Sequence, residues 1–263
     1  IVFGANGSGK TSLLEAAHIL GTARSFRSGR WKTQIRHGEA AYVIHGECRT
    51  DDERRRALGV QRSQNGEVLL RIGGETVRSV ARLADELPLL VLNSDSFDLL
   101  VGEPAHRRRF LDWGVFHVEH HCREARQRLQ RPLSQRNHLL RHGRIDLIEL
   151  EGWTRELAGF GETVSAARER FLVALARAFD TMLIELAPEL GDVALSYRRG
   201  WDATLSYAEA LDRAQASDRE QGFTQSGPQR ADVRVTVNGH VAADTLSRGQ
   251  QKLVVTALKL AQG

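Results

Sequence analysis

The chain has 263 residues, 41% of them hydrophobic and 27% charged, which is the balance of one or two globular domains with a true core and excludes a disordered or fibrous chain. A formal charge of +4 and a pI near 9.4 lean mildly toward a polyanionic partner. Cys48 and Cys122 supply neither a disulfide framework nor a C-x-x-C pair, no apolar run nears the roughly 20 residues that span a bilayer, and no leader pattern is visible. A cytoplasmic protein that does not engage membranes is expected.

Ile1-Val2-Phe3 reads as the end of a buried strand. Gly4-Ala5-Asn6-Gly7-Ser8-Gly9-Lys10-Thr11 then has the full G-x-x-x-x-G-K-[ST] spacing of a phosphate-binding loop. Its glycines let the backbone curl and aim successive N–H groups at one anion. Lys10 brings a mobile charge to the β- and γ-phosphates, and the Thr11 hydroxyl is placed to ligate Mg²⁺. Thr11 to Leu20 reads as a helix with Leu13, Leu14, Ala17 and Leu20 on one face, stopped by Gly21, which sets a positive helix end under the phosphates. So short a lead before the loop predicts a sequence cut at its N-terminus.

Arg24, Arg27, Arg30 and Lys32 are interleaved with Phe26 and Trp31 and followed by Arg36 and His37. This is either a grip for phosphates and bases or a solvated loop with its aromatics tucked in. From Ala41 to Val77 the period shortens to two, with an Asn65-Gly66 turn between Ala57–Arg62 and Glu67–Ile72 and a Gly73-Gly74 turn after it. That predicts a small antiparallel sheet, too polar on one face to be a central parallel one. A short helix over 80–87, stopped by Pro88, and a buried strand over 89–92 should follow.

Between residues 104 and 144 stand ten arginines against three acids, with Leu129, Leu133 and Leu140 at helical spacing. A second stripe, Trp153, Leu157, Phe160, Val164, Ala167 and Phe171, drifts onto Leu175, Phe179, Met182 and Leu186 until Pro188. Two long helices packed as a lobe are expected, with the arginines on a solvated or a nucleic-acid face. His117, Glu119, His120, His121 and Cys122 place only one pair, His117 and His121, at i and i+4. A four-ligand zinc site is therefore not expected.

Leu246-Ser247-Arg248-Gly249-Gln250-Gln251 precedes an apolar helix, with Ser247 at the N-cap position and Gly249 leaving room for a phosphate. It resembles the L-S-G-G-Q signature of ABC-type ATPases, with Arg248 in place of the first glycine. More specifically the chain resembles the RecF family of bacterial repair ATPases, over all 263 residues. The matching segments are Leu14-Glu15-Ala16, Arg24-Ser25-Phe26-Arg27, Arg107-Arg108-Arg109-Phe110-Leu111-Asp112-Trp113-Gly114, Gln135-Arg136-Asn137, Thr224 with Gly227-Pro228, and Leu258-Lys259-Leu260-Ala261. One departure is Gln229, where the family usually has His before Arg230; an amide keeps a hydrogen bond but not a proton-transfer role.

The resemblance implies an α/β fold: an ABC-type head with an added antiparallel subsheet and an inserted helical lobe. The head would comprise 1–95 and 225–263, and the lobe 96–224. It implies that Ser247, Arg248, Gly249 and Gln250 face the γ-phosphate bound by the loop of a second copy, so that ATP with Mg²⁺ closes a homodimer. It further implies binding to single-stranded and gapped duplex DNA, in recombinational repair, replication-gap and SOS responses. RecO and RecR would be partners in loading RecA. Arg24, Arg27, Arg30, Lys32, Arg107 and Arg108 are the candidate DNA contacts. The family's acidic strand after the signature does not occur before Gly263, so a C-terminal cut, no catalytic residue in the chain and slow hydrolysis only in the longer protein are expected. The alternatives are a transporter's nucleotide-binding subunit, which has a shorter spacing between motifs, and an SMC-type head, which has long coiled-coil arms. A guanine-reading [NT]-K-x-D segment is missing from the sequence.

Overall fold

The computed structural model describes residues 1–49, 55–119, 122–141 and 146–263. The chain forms two compact units, Ile1–Val91 and Leu92–Gly263.

In the first unit, α1 (Lys10–Thr22) and α2 (Val80–Glu86) pack with a four-stranded antiparallel sheet in the order β1-β2-β3-β4. Its strands are β1 (Ala41–Arg49), β2 (Arg55–Ser63), β3 (Val68–Ile72) and β4 (Glu75–Val77). The register runs Ala41↔Ser63 and Leu58↔Ile72, and the Asn65-Gly66 turn falls where its left-handed backbone requires, with Gly66 at φ 95°. Ile19, Leu20, Leu58, Val60, Leu70, Ile72 and Leu83 form the core.

Four expectations are corrected here. Ile1–Phe3 carry no regular structure and are exposed, since no described strand lies beside them to pair their backbone. The helix runs to Thr22, and Ala23, in the left-handed conformation at φ 52°, ends it. Gly21 is instead a close-approach site, where a Cβ would lie 2.6 Å from Leu87 O. The buried face of α1 is Ile19-Leu20-Gly21, while Leu13 and Leu14 are 60% and 53% exposed and Ala17 is exposed too. Residues 89–92 form no strand.

The second unit begins with the short α3 (Asp98–Val101) and continues through α4 (Pro104–Val118), α5 (Cys122–Arg141) and α6 (Leu147–Leu186). Helix α6 is a single 40-residue rod, about 60 Å long at 1.5 Å per residue. Its stripe Leu157, Val164, Phe171, Leu175 and Phe179 is buried, as the spacing predicts. Strand β5 (Val193–Arg198) pairs antiparallel with β6 (Asp232–Val237), which pairs with β7 (His240–Val241). Helices α7 (Tyr207–Arg213) and α8 (Gln215–Gln221) lie between β5 and β6 in sequence, and α9 (Ala242–Thr245) and α10 (Arg248–Gln262) complete the chain. Both described sheets are antiparallel.

Candidate functional site

The phosphate loop is shaped by three glycines in the left-handed region, Gly4 at φ 155°, Gly7 at 81° and Gly9 at 87°. Residues with a Cβ reach such angles only under strain. Gly9 is the N-cap of α1, and no side chain caps that end, so the first-turn N–H groups keep their donors and the positive end of the dipole. Lys10 Nζ donates to Gly4 O at 2.8 Å and Ala5 O at 2.7 Å. The ammonium is thereby held inside the curl with one of its three donors still available. Asn6, Ser8 and Thr11 are exposed around it.

Glu15, one turn along α1, was not a predicted site residue, yet it anchors the next segment. Its carboxylate accepts from the Ser25 hydroxyl and, at 3.1 Å, from Arg27. Ser25 Oγ in turn accepts from the amides of Arg27 and Ser28. Phe26 packs edge-on against His18 with centroids 5.5 Å apart, and Arg62 lies 4.9 Å over the Trp31 ring. The aromatics are therefore tucked against this unit, while Arg24, Arg30 and Lys32 remain exposed beside them.

The signature stretch begins α10 as its composition predicts. Ser247 Oγ accepts from Gln250 N at 3.3 Å, and Gln250 Oε1 accepts from Ser247 N at 2.9 Å, a reciprocal capping box. Ser247, Arg248 and Gly249 are exposed, and a Cβ at Gly249 would meet nothing within 4 Å. Gln251 is buried; its Nε2 donates to Ala243 O at 3.0 Å and Leu246 O at 3.1 Å.

The arginine-rich segments behave otherwise. Arg107 makes a two-pronged pair with Asp232, at 2.7 and 3.1 Å, and donates to Gly102 O at 2.8 Å. Arg108 donates to Ala231 O at 2.9 Å. Asp112 accepts from Arg168 at 2.9 Å and pairs with Arg126 at 3.2 Å, while Arg168 also donates to Pro228 O. Arg136, fully buried, donates to Asp218 and to the Thr224 hydroxyl at 2.7 Å each and to Thr154 at 3.1 Å. Asn137 Oδ1 accepts from both the amide and the hydroxyl of Thr224 at 2.7 Å. The solvated-face and nucleic-acid-face readings both miss these internal partners. Asp218 and Asp232 lie more than 80 residues from the arginines they meet, and nothing local in the sequence announces them.

Gln229 donates to Ser226 O at 2.8 Å, and its Oε1 is buried with no hydrogen-bond partner among the described residues. Beside it Tyr207 donates to Ser226 O at 2.9 Å, and burial pushes its hydroxyl pKa well up. Of the His117 cluster, His120 and His121 lie outside the described residues. Glu119 is engaged by Arg170 at 2.9 and 3.0 Å, Cys122 is buried, and the described residues contain no group of metal-ligating side chains. No helix among them is long and apolar enough to cross a membrane.

The family model of the RecF/RecN/SMC N-terminal domain matches residues 1–262. Curated relatives are similar along the whole chain. The DNA replication and repair protein RecF of Stutzerimonas stutzeri is 52% identical over 263 residues, 71% of its own length. That of Azotobacter vinelandii is also 52% identical, over 72% of its length. Among solved structures, the recombination mediator protein RecF with ATP in the RecFOR pathway superposes with a TM-score of 0.89 at 22% identity, over 99% of this chain and 72% of that one. The Smc head domain of Pyrococcus furiosus gives 0.52 at 15%, over 98% and 71%. A glycine loop opening a helix, a serine-capped signature helix and similarity along the full chain lead to one assignment: the chain belongs to the RecF family of DNA replication and repair proteins.

Proposed function

We propose that this chain is the nucleotide-gripping part of an ATP-operated clamp on DNA. The observation that carries the reading is the Lys10 ammonium held at the mouth of an uncapped helix, inside a loop curled by three left-handed glycines. That arrangement fits a triphosphate: the loop amides of 4–10 and Lys10 hold the β- and γ-phosphates, and Thr11, exposed on the first turn, holds Mg²⁺. The metal, when bound, offsets the charge of the phosphate oxygens.

Ser247, Arg248, Gly249 and Gln250 act on the nucleotide of a second copy. Gly249 leaves room for this: a Cβ there would meet only open space. A ligand gripped by two chains at once favours the dimer by mass action. By linkage, anything the closed dimer binds better in turn favours nucleotide binding.

DNA is held mainly through its phosphates, with Arg24, Arg30 and Lys32 as exposed contacts and Arg27 braced by Glu15. Arg107 and Arg108, occupied by Asp232 and Ala231 O, serve architecture in this reading. The names of the relatives support work in DNA replication and repair, and that of the RecFOR pathway work in recombination; single-stranded and gapped duplex DNA are the substrates the family resemblance implies. RecO and RecR would be the partners that load RecA during the SOS response. Slow hydrolysis would release the clamp.

Sedimentation velocity with and without ATP and Mg²⁺ tests the proposal. The expected result is a dimer only with nucleotide, and a Ser247→Arg variant that binds ATP as a monomer without dimerising. A chain that stays monomeric with ATP bound, or a Ser247→Arg variant that still dimerises, overturns it.

A further inference from the structure

Beside the β5–β6 sheet of the second unit lie two clefts of about 730 and 170 Å³ that share Arg198 and Asp232 in their walls. Arg199, Trp201 and Arg230 line the larger, and Arg234 the smaller. Two of the three acids are paired with cations, and the third is held by neutral donors. Asp232 accepts from Arg107, Glu169 pairs with Arg199 at 3.1 Å, and Asp202 accepts from the Thr204 amide and hydroxyl at 2.9 and 2.7 Å.

Arg198, Arg230 and Arg234 form no ion pair among the described residues. Three guanidinium groups without an ion-pair partner are therefore left along two adjoining clefts, where Asp202 is the acid that forms no ion pair among the described residues. The pairings Arg198↔Asp232 and Ser196↔Arg234 put Arg198 and Arg234 on one face as diagonal neighbours, about 7–8 Å apart in ordinary cross-strand geometry. Successive phosphates of an extended strand can span such a spacing.

Trp201 supplies a platform whose ring has the Arg199 guanidinium 5.8 Å from its centroid. Its indole is stacked on Tyr207, with centroids 4.6 Å apart and planes 25° apart, and its Nε1 donates to Leu205 O at 3.2 Å. The ring is thus fixed before any ligand arrives. A cleft of 730 Å³ has the volume of a small-molecule site, enough for a nucleotide or two and too little for a duplex.

We infer that these clefts bind a short single-stranded nucleic-acid segment, with phosphates on Arg198, Arg230 and Arg234 and one base against Trp201. The inference rests on the DNA-binding reading above, and assigns single strands a site separate from the clamp's duplex contacts.

The test titrates the chain with a fluorescent oligothymidylate across salt, alongside ATP-dependent binding of duplex DNA. An Arg198→Ala/Arg230→Ala variant should lose more than tenfold in single-strand affinity. The slope of log affinity against log salt should become shallower by about 1.4, at about 0.7 for each phosphate no longer neutralised. ATP-dependent duplex binding should persist. Trp201→Phe should abolish the oligonucleotide's quenching of intrinsic fluorescence while retaining most of the affinity. Where the double variant melts early, Arg198→Ala alone, exposed on β5, should flatten the slope by about 0.7. Unchanged single-strand binding in these variants overturns the inference and leaves the clamp reading standing. Displacement of the oligonucleotide by polyglutamate at lower concentration than by unlabelled oligothymidylate also overturns it, in favour of an acidic peptide. Loss of all ATP-dependent DNA binding in the parent chain removes both.

Discussion

The phosphate loop of the first unit and the Arg136 network of the second are each written in a few motif residues, yet they use charge in opposite ways. Around Lys10 the surroundings are exposed backbone: two carbonyls hold the ammonium, and the helix amides beside it have no side-chain cap. Around Arg136 the guanidinium is out of water, and side chains from three separate stretches meet it. Asp218 in turn accepts from the Gln225 amide, and Asn137 fixes Thr224 twice. The first arrangement keeps its charge for a ligand. The second uses it to hold α5, α8 and the 222–228 loop together. A short basic motif therefore says little about function until its partners are known.

Stability measurements should separate the two regions. The largest loss should come from Arg136→Ala, which leaves Asp218 buried without its cation. A drop of about 3–5 kcal/mol in urea unfolding is expected, and a near-parental midpoint would show that the network is not a keystone. Gly114→Ala comes next. Its new Cβ would lie 1.9 Å from the Phe171 ring, so α4 and α6 must part. Overpacking of this kind costs about 1–3 kcal/mol, and Phe171→Leu should restore part of it. Smallest is Lys10→Ala, whose partners are exposed carbonyls that water can satisfy; stability should stay within about 0.5 kcal/mol. The same variant should lose ATP binding by calorimetry. Large destabilisation by Lys10→Ala would erase the contrast.

Much of this was legible in the sequence where periodicity or backbone chemistry is local. The antiparallel strands and the Asn65-Gly66 turn, the stripe of α6 and the Ser247 cap lie where spacing puts them. What escaped depends on contacts between distant stretches. Leu13 and Leu14 have the spacing of a buried face, but the sheet meets α1 at Ile19 and Leu20 instead. The arginines of 107–136 look like a charged surface because Asp218 and Asp232, which neutralise two of them, come from a different part of the chain. Gly114 shows no turn signal, since its reason is the Phe171 ring and not a φ angle.

The two bonds from Gln251 to Ala243 O and Leu246 O tie the start of α10 to the turn before it. The N–H groups of that first turn consequently point the same way whether or not an anion stands before them. In the proposed clamp, little ordering entropy would remain to be lost when a second chain brought its phosphates there. Pre-set geometry of this kind lengthens the life of an encounter more than it hastens it.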